Sequence, residues 1–246
     1  MHAYCTLSIV FFTSLISSIR VFASFFRDFV SNEGVNNLNG MIPEEISTLS
    51  TLQQLDLFSN SIIGVLPDGL SNLDNLISID IQENLFSGLA FPNAVTGLRR
   101  LESYRISNNK FSGVMPTRIG SLRNLNVLWA SNNAILGSIP AEIGDLRNLK
   151  KVILSNNDMT GEVPSELGLI PLEALVLNDN NFLGSIPSQL FDLASLRTFR
   201  LEGNFLIGTL PDLLGQLTDL EDFRIQNNNL SGEIPKSIGF MTSLGK

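Results

Sequence analysis

The 246-residue sequence has a single histidine, His2, and a single cysteine, Cys5, both at its N-terminus. Beyond residue 5 this excludes Ser-His and Cys-His nucleophilic pairs, zinc sites built from Cys and His, and intrachain disulfide bonds. The sequence also has no glycine-rich phosphate loop and no kinase signature. It therefore predicts a protein that is not an enzyme and that needs no metal and no cofactor.

Basic residues are few. Sixteen Lys and Arg stand against 24 Asp and Glu, which gives a formal net charge of −8, and the basic residues are scattered along the chain. A nucleic-acid-binding protein needs a clustered basic footprint. The sequence therefore predicts no nucleic-acid partner.

Long hydrophobic runs are limited to the N-terminus. Residues 3–19 are apolar and uncharged, and Val21-Phe22-Ala23 offers a small-residue cleavage site before Ser24. This pattern predicts a secretory signal peptide over residues 1–23. An uncleaved membrane anchor and an artefact of gene prediction are the alternatives, since such a run lies at the lower limit for a bilayer span. Residues 24–35 fit no pattern and stay unassigned.

The chain is rich in regularly spaced asparagine. Nine asparagines, which we call the asparagine ladder, are spaced 24, 24, 25, 24, 24, 23, 24 and 24 residues apart. They are Asn36, Asn60, Asn84, Asn109, Asn133, Asn157, Asn180, Asn204 and Asn228. Self-similarity with this period indicates a repeat architecture. The ladder predicts one repeat array over residues 36–246, with an incomplete first and last repeat.

Three further columns keep the same register. An apolar residue stands two positions after every asparagine, and a glycine stands four positions after it. A proline follows by seven positions in eight repeats, and Pro92 comes one residue late in the 25-residue repeat. Glycine suits a bend with unusual dihedrals, and proline fixes φ where the chain leaves the extended conformation.

A short alternating run precedes most asparagines, as in Leu55-Asp56-Leu57. Alternation with a period of two predicts a strand with one buried face, so that stacked repeats form a parallel sheet. The asparagine side chains can then bond the turn backbone of their own and of neighbouring repeats. One repeat cannot bury so much apolar surface alone, and the stack is needed.

The stretches Leu125–Leu146 (LNVLWASNNAILGSIPAEIGDL) and Asn228–Gly239 (NNLSGEIPKSIG) resemble the plant-type extracellular leucine-rich repeat. The resemblance implies an α/β repeat solenoid, a right-handed superhelix with a concave parallel β-sheet and short 3₁₀ or irregular convex segments. Relatives include ectodomains of receptor-like kinases, receptor-like proteins and secreted inhibitors of wall-degrading enzymes. It therefore implies a binding module, secreted or on the cell surface, with no catalytic residues. A secreted inhibitor of wall-degrading enzymes and a truncated receptor-kinase ectodomain without signalling of its own are the alternatives.

The chain departs from that family at both ends. It lacks a cysteine-paired N-terminal cap, and Ser31 and Glu33 stand where a strand before Asn36 should be apolar. It ends at Lys246, soon after another repeat would begin. Repeat arrays need polar caps. We therefore expect a fragment, an incomplete gene model or a minimal member of the family.

The residue four positions before each asparagine should lie at the centre of the concave face. This column reads Asp56, Asp80, Arg105, Trp129, Ile153, Val176, Arg200 and Arg224. Its middle is apolar, with Val127 beside Trp129, with Lys151 and Ala174 as flanking residues, and with arginines on both sides. Apolar patches rimmed by polar groups mark interaction sites, and tryptophan and arginine are enriched at binding hot spots.

We predict from this a ligand site at Arg105, Val127, Trp129, Lys151, Ile153, Val176, Arg200 and Arg224, suited to an anionic or carboxylate-bearing partner. Ordinary sheet packing is the alternative, with Arg200 paired to Glu202 or Asp222 and Arg224 paired to Asp222. The expected partners are a peptide or protein ligand, with a glycan, a hydrolase and a co-receptor as further candidates.

Two more features complete the expectations. Asp56 and Asp80 should lie about 4.8 Å apart on adjacent strands. General acid–base catalysis or calcium binding is the functional interpretation of this pair. The sequence favours two solvated carboxylates on an open sheet without a pocket. Asn229-Leu230-Ser231 is a glycosylation sequon, or simply a copy of the repeat consensus.

Overall fold

The computed structural model describes residues 37–245. The predicted signal peptide, the unassigned segment and Asn36 lie outside this range. Within it the strands, in chain order, are β1 (Asn39–Gly40), β2 (Gln54–Asp56), β3 (Ser61–Gly64), β4 (Ser78–Asp80), β5 (Leu85–Leu89), β6 (Ser103–Arg105), β7 (Lys110–Val114), β8 (Val127–Trp129), β9 (Ala134–Gly137), β10 (Lys151–Ile153), β11 (Asp158–Glu162), β12 (Ala174–Val176), β13 (Asn181–Leu183), β14 (Thr198–Arg200), β15 (Ile207–Gly208), β16 (Asp222–Arg224) and β17 (Asn229–Leu230).

The even-numbered strands form one eight-stranded parallel sheet, which we call the concave sheet. Each strand pairs with the next in a register that repeats from one coil to the next. The middle residue of each strand points into the core, and its two neighbours point to the opposite face. This confirms the predicted leucine-rich repeat solenoid.

The odd-numbered strands add a second surface, which we call the lateral sheet. Strands β1 to β13 form a seven-stranded parallel sheet, β15 pairs with β17, and a bridge from Ser185 to Ile207 links the two groups. The sequence prediction did not include this sheet. Its signal is the apolar residue two positions after each asparagine, which points inward, while the residues on either side of it point outward.

Helical turns form the convex side. Each of the 3₁₀ helices in the described residues follows a proline that holds the chain extended: Glu44–Thr48, Asp68–Asn72, Thr117–Ser121, Ala141–Asp145, Ser165–Leu169, Ser188–Asp192, Asp212–Gln216 and Lys236–Phe240. The 25-residue repeat has an α-helix instead, α1 (Asn93–Thr96), in which the N–H of Thr96 donates to Pro92 O at 3.0 Å. The extra residue is thus absorbed by a wider turn. Across residues 37–245 no helix is long and apolar enough to cross a bilayer.

The core lies between the two sheets and the convex turns. Phe86 and Phe111 stack at 5.9 Å between ring centroids with an angle of 5° between ring planes. Tyr104 is fully buried beside the wide turn, and its hydroxyl donates to Ala90 O at 2.7 Å. The buried hydroxyl of Tyr104 is therefore satisfied by a backbone carbonyl of the 25-residue repeat.

The asparagines connect each repeat to the one before it. Asn157 accepts the N–H of Ile135 on Oδ1 at 3.0 Å. Its Nδ2 donates to Ala130 O of the preceding repeat at 3.0 Å, and to Leu154 O and Ser155 O of its own repeat at 3.0 and 3.3 Å. The contact to Oδ1 recurs at Asn60, Asn84, Asn109, Asn133, Asn180, Asn204 and Asn228.

The glycine column has two roles that only glycine fills. Gly113 has φ +82°, and a Cβ built there would lie 2.6 Å from Leu89 Cδ2 of the preceding repeat. The bare backbone therefore accommodates both the left-handed bend and the neighbouring side chain, and Gly88 and Gly137 show the same arrangement with Val65 and Val114.

We expect Gly113→Ala to destabilise the protein by about 1–3 kcal/mol, because alanine is strained at positive φ and would overlap Leu89. Urea unfolding followed by circular dichroism measures the change. Gly239→Ala is the matched control, since a Cβ there meets no atom within 4 Å and its φ is not positive. Equal stability losses in the two variants would contradict this account of the glycine column.

Candidate functional site

The concave sheet brings the predicted site residues into one row. Strand pairing places Asp56 opposite Asp80, Asp80 opposite Arg105, and Arg105 opposite Trp129. The row continues through Ile153, Val176, Arg200 and Arg224. Neighbours in such a row are about 4.8 Å apart.

The apolar middle of the row is more covered than the sequence suggested. Trp129, Ile153 and Val127 are half-buried, and Val176 is only 7% exposed. The predicted exposure of Val176 is therefore wrong. Side chains on adjacent strands stand close enough to cover one another, and this lateral covering cannot be read from alternation alone. Lys151, on the same strand as Ile153, remains exposed.

Each arginine of the row faces an acid on the same sheet. Arg200 Nε donates to Glu202 Oε1 at 2.9 Å, and Arg224 Nε donates to Asp222 Oδ1 at 2.8 Å. These are the pairs of the packing alternative. Arg105 lies between two partners, with Nη1 3.7 Å from Asp80 Oδ2 and Cζ 5.9 Å from the centroid of the Trp129 ring.

This pairing changes what the row can bind. The C-terminal strands β14 and β16 present neutral ion pairs instead of free cations, so an anionic ligand there would have to compete with Glu202 and Asp222. The cation–π contact between Arg105 and Trp129 instead holds the indole ring in place at the centre of the face.

A second polar row, two positions before each asparagine, went unnoticed in the sequence. Ser131 N–H donates to Ser107 Oγ, and Ser155 Oγ donates to Ser131 Oγ, both at 3.0 Å. The row continues to Asn178 and Glu202, which are 5% and 7% exposed, and whose Oδ1 and Oε2 atoms have no hydrogen-bond partner among the described residues. The signal was present, since this column is polar in seven of the nine repeats, with Gly34 and Phe58 as the exceptions.

The N-terminal end of the concave sheet contains a hollow of about 510 Å³ between β2, β4 and β6. Asp56, Asp80, Ser103 and Arg105 line it, with Phe58 at one wall. Asp56 and Asp80 therefore lie in a shallow hollow that stays open to solvent, which the sequence prediction of an open sheet did not include. Ser103 and Arg105 of β6 line the side of the hollow that faces Trp129, which the spacing of the repeats does not reveal.

The hollow has a mixed polar lining. Asp80 Oδ1 accepts hydrogen bonds from the N–H and Nε2 of Gln82 at 3.4 and 3.1 Å, and Asp56 Oδ1 accepts from Phe58 N–H at 3.2 Å. Ser103 Oγ and Arg105 Nε are buried and have no partner among the described residues. Leaving such atoms unpaired costs roughly 1–3 kcal/mol each.

Desolvation by burial raises the pKa of Asp80 above its usual value of 3.8, and the nearby Asp56 raises it further. Hydrogen bonds from Gln82 and the charge of Arg105 oppose the shift but do not cancel it. The carboxylate of Asp80 is therefore held in the hollow at a cost to the folded state.

Other polar features of the described residues give no comparable site. A hollow of about 330 Å³ beside the starts of strands β6, β8, β10 and β12 is lined by Asn124, Asn148 and Lys150, among others. Both asparagines donate to backbone carbonyls, and Lys150 lies 2.9 Å from Glu173. No cluster of three or more His, Cys, Asp or Glu placed to hold a metal ion occurs within residues 37–245.

Comparison with known proteins adds a family and a set of structures. The Leucine Rich Repeat model matches residues 51–73, 124–146, 148–169, 171–193, 195–217 and 219–241. No curated protein sequence matches the chain. The solved structure of a TDR receptor is 36% identical, with a TM-score of 0.81, over 85% of this chain and 36% of the receptor chain.

Two further structures show the range of this fold. The ectodomain of the Arabidopsis receptor kinase HAESA, solved with an N-terminally extended IDA peptide hormone, is 33% identical with a TM-score of 0.82, over 85% of this chain and 35% of HAESA. A plant ice-binding protein is 28% identical with a TM-score of 0.69, over 81% of this chain and 72% of its own. The chain spans about a third of the length of the two receptors.

The raised pKa of Asp80 makes a prediction about stability. A carboxyl whose pKa is raised on folding binds its proton more tightly in the folded than in the unfolded state, so its contribution to stability is lost as pH rises from about 3.8 through the folded pKa. Relative to Asp80→Asn, the wild type should therefore lose free energy of unfolding between pH 3.5 and 7. Urea unfolding at each pH measures the difference. Asp158→Asn, at an exposed carboxylate, is the control, and a pH-independent difference for Asp80→Asn would count against the shift.

Proposed function

The chain belongs to the leucine-rich repeat family, and we propose that it binds an extended peptide along its concave sheet, as the non-catalytic recognition module of an extracellular, receptor-like protein. The observation that carries this proposal is the half-buried Trp129 at the centre of the face, in register with Ile153 and held by Arg105. A rigid aromatic ring in this position is a typical hot-spot anchor.

The dimensions of the face suit a peptide. Eight strands in register span seven steps of about 4.8 Å, or about 34 Å, which an extended chain of about ten residues covers at roughly 3.3 Å per residue. The row offers polar groups at both ends and an apolar centre, so that a peptide can bury one or two side chains against Trp129 and Ile153. Related ectodomains have been solved with peptide ligands, HAESA with IDA among them.

Trp129 is the only tryptophan of the chain, so its fluorescence reports on the proposed site directly. We expect peptides of about 12 residues, selected from a random phage-displayed library, to change that fluorescence on titration. In Trp129→Ala, isothermal titration calorimetry should show at least about 30-fold weaker binding, the loss typical of a hot spot of about 2 kcal/mol. The melting temperature should change little, because the ring lies on the face and not in the core.

Leu136→Ala is the matched control, since Leu136 is a 47% exposed apolar residue on strand β9 of the lateral sheet. It should leave peptide affinity unchanged. Selected peptides that ignore Trp129→Ala and lose affinity in Leu136→Ala would overturn the proposal and move binding to the lateral sheet.

The extracellular part of the proposal has its own test. Asn229 is exposed on β17, at the edge of the lateral sheet and away from the concave row, so a glycan there would not obstruct the face. Expressed in plant cells with residues 1–23 included, the protein should be secreted and glycosylated. Ser231→Ala, which destroys the sequon, should remove the mass increment that deglycosylation removes from the wild type. Retention inside the cell or an unmodified Asn229 would argue against this part of the proposal.

A further inference from the structure

The lateral sheet carries most of the large apolar side chains that stay exposed within residues 37–245. Six of them, on or directly after strands β1 to β7, are between 42% and 69% exposed: Met41, Ile63, Val65, Leu85, Leu89 and Val114. A second group on β13 and β15 is at least 50% exposed and consists of Leu183, Phe205 and Ile207. Large exposed apolar patches on a protein surface mark contacts with a partner.

Side chains of the first group are held in place by the glycine column. Met41, Val65, Leu89 and Val114 each lie against the glycine of the next repeat, where there is no side chain to displace them. A Cβ built at Gly64, for example, would come within 2.7 Å of Met41 Cγ. The apolar surface is therefore pre-organised, and a pre-organised surface loses less conformational entropy when a partner binds.

Charged residues separate the two apolar groups. Lys110 lies on β7, whereas Asp158 and Glu162 lie on β11, so that the cation and the acids flank β9 on opposite sides. All three are exposed, and within the described residues none of them takes part in an ion pair. A surface with this arrangement is complementary in charge to a copy of itself in which the order of the strands is reversed.

Pairing two copies in this way also matches the apolar groups. Successive strands are offset by two residues, as Ile63 opposite Leu85 shows, so the outward residues form a diagonal band. A two-fold axis that crosses the band at β9 places β7 against β11, and the apolar group of β3 and β5 against that of β13 and β15. Lys110 of one copy then faces Glu162 of the other, and Ile63 faces Ile207.

The size of the band suits a weak dimer. Nine strands span eight steps of about 4.8 Å, and the outward residues of each strand cover about 13 Å, which gives about 500 Å² on each copy. The total of about 1,000 Å² is the lower limit for a specific protein interface. An anionic membrane is a poorer partner, because Asp158 and Glu162 lie in the middle of the band and would be repelled by it.

We propose that the lateral sheet forms a two-fold symmetric dimer with a second copy of this chain. The apolar groups of the two copies cover each other, and two ion pairs between Lys110 and Glu162 determine the register. Asn229 lies on β17 at the margin of this contact. The concave sheet stays open on both copies, so the dimer does not depend on peptide binding.

Sedimentation velocity of the full chain, expressed in plant cells and deglycosylated, measures the association. The weight-average sedimentation coefficient should rise from monomer to dimer between about 1 and 200 μM, since a small interface gives a weak dimer. Ile63→Asp should weaken dimerisation at least tenfold, because it places a carboxylate against Ile207 of the second copy. Leu169→Asp is the matched control, at a 55% exposed apolar residue of the convex side, and should change nothing. A monomer at every concentration, or a dimer that survives Ile63→Asp, would overturn the proposal.

Charge reversal tests the register of the dimer. Lys110→Glu and Glu162→Lys each create two pairs of like charges, so each variant alone should dimerise about fivefold more weakly than the wild type. An equimolar mixture of the two variants should recover wild-type association, because both pairs of the mixed dimer are again of opposite charge. Melting followed by circular dichroism checks that each variant is folded. A mixture that associates no better than either variant alone would disprove the two-fold arrangement about β9.

The outcome can be separated from that of the peptide-binding proposal. Trp129→Ala should dimerise as the wild type does, because Trp129 lies on the concave sheet. Loss of the dimer in Trp129→Ala would place the contact on the concave sheet and overturn the role of the lateral sheet. A dimer that responds to Ile63→Asp but binds no selected peptide would support the lateral contact and contradict the peptide-binding proposal alone.

Discussion

Every turn of this solenoid is completed by the asparagine of the repeat that follows it. Asn157 accepts the N–H of Ile135 and donates to the carbonyl of Ala130, and both of those residues belong to the preceding repeat. Without that side chain the buried N–H of Ile135 would lose its partner, at a cost of roughly 1–3 kcal/mol, and Ala130 O would keep only the 3.3 Å bond from Asn133 Nδ2. No repeat is therefore satisfied alone, and the array is stable as a stack of nearest neighbours.

The same contact explains why repeats of unequal length coexist. The 25-residue repeat widens its convex turn into α1. In the 23-residue repeat the segment after the 3₁₀ helix Ser165–Leu169 runs extended at Ile170. The asparagine contact and the concave register are unchanged in both, with Asp80 opposite Arg105 and Ile153 opposite Val176. Repeats differ in length on the convex side because the residues there are not held by the hydrogen bonds of the asparagine ladder.

The ladder also marks how far the sequence could predict the protein. Counting four residues back from each asparagine places Trp129 beside Ile153 and Arg105, because strand register follows from the period. It does not show that Arg200 pairs with Glu202, that Val176 is covered, or that Asp56 and Asp80 line a hollow with residues of β6. Those outcomes depend on rotamers across neighbouring strands, which a repeat period does not encode. The lateral sheet was not predicted for another reason. Its strands follow the asparagine, and glycine interrupts the alternation of apolar and polar residues in them.

The distribution of charge on the concave face differs from the one that the sequence suggests. A row with arginine at three of its eight positions looks cationic in the sequence, but Arg200 and Arg224 are each neutralised by an acid on the same face. The unbalanced charge lies instead at β2 and β4, where two carboxylates face Arg105, and Arg105 also contacts the Trp129 ring. Asp80 is held there although burial disfavours its ionised form. A charged ligand group would have to displace an existing ion pair on β14 or β16, whereas an apolar group meets no such competition at Trp129 and Ile153.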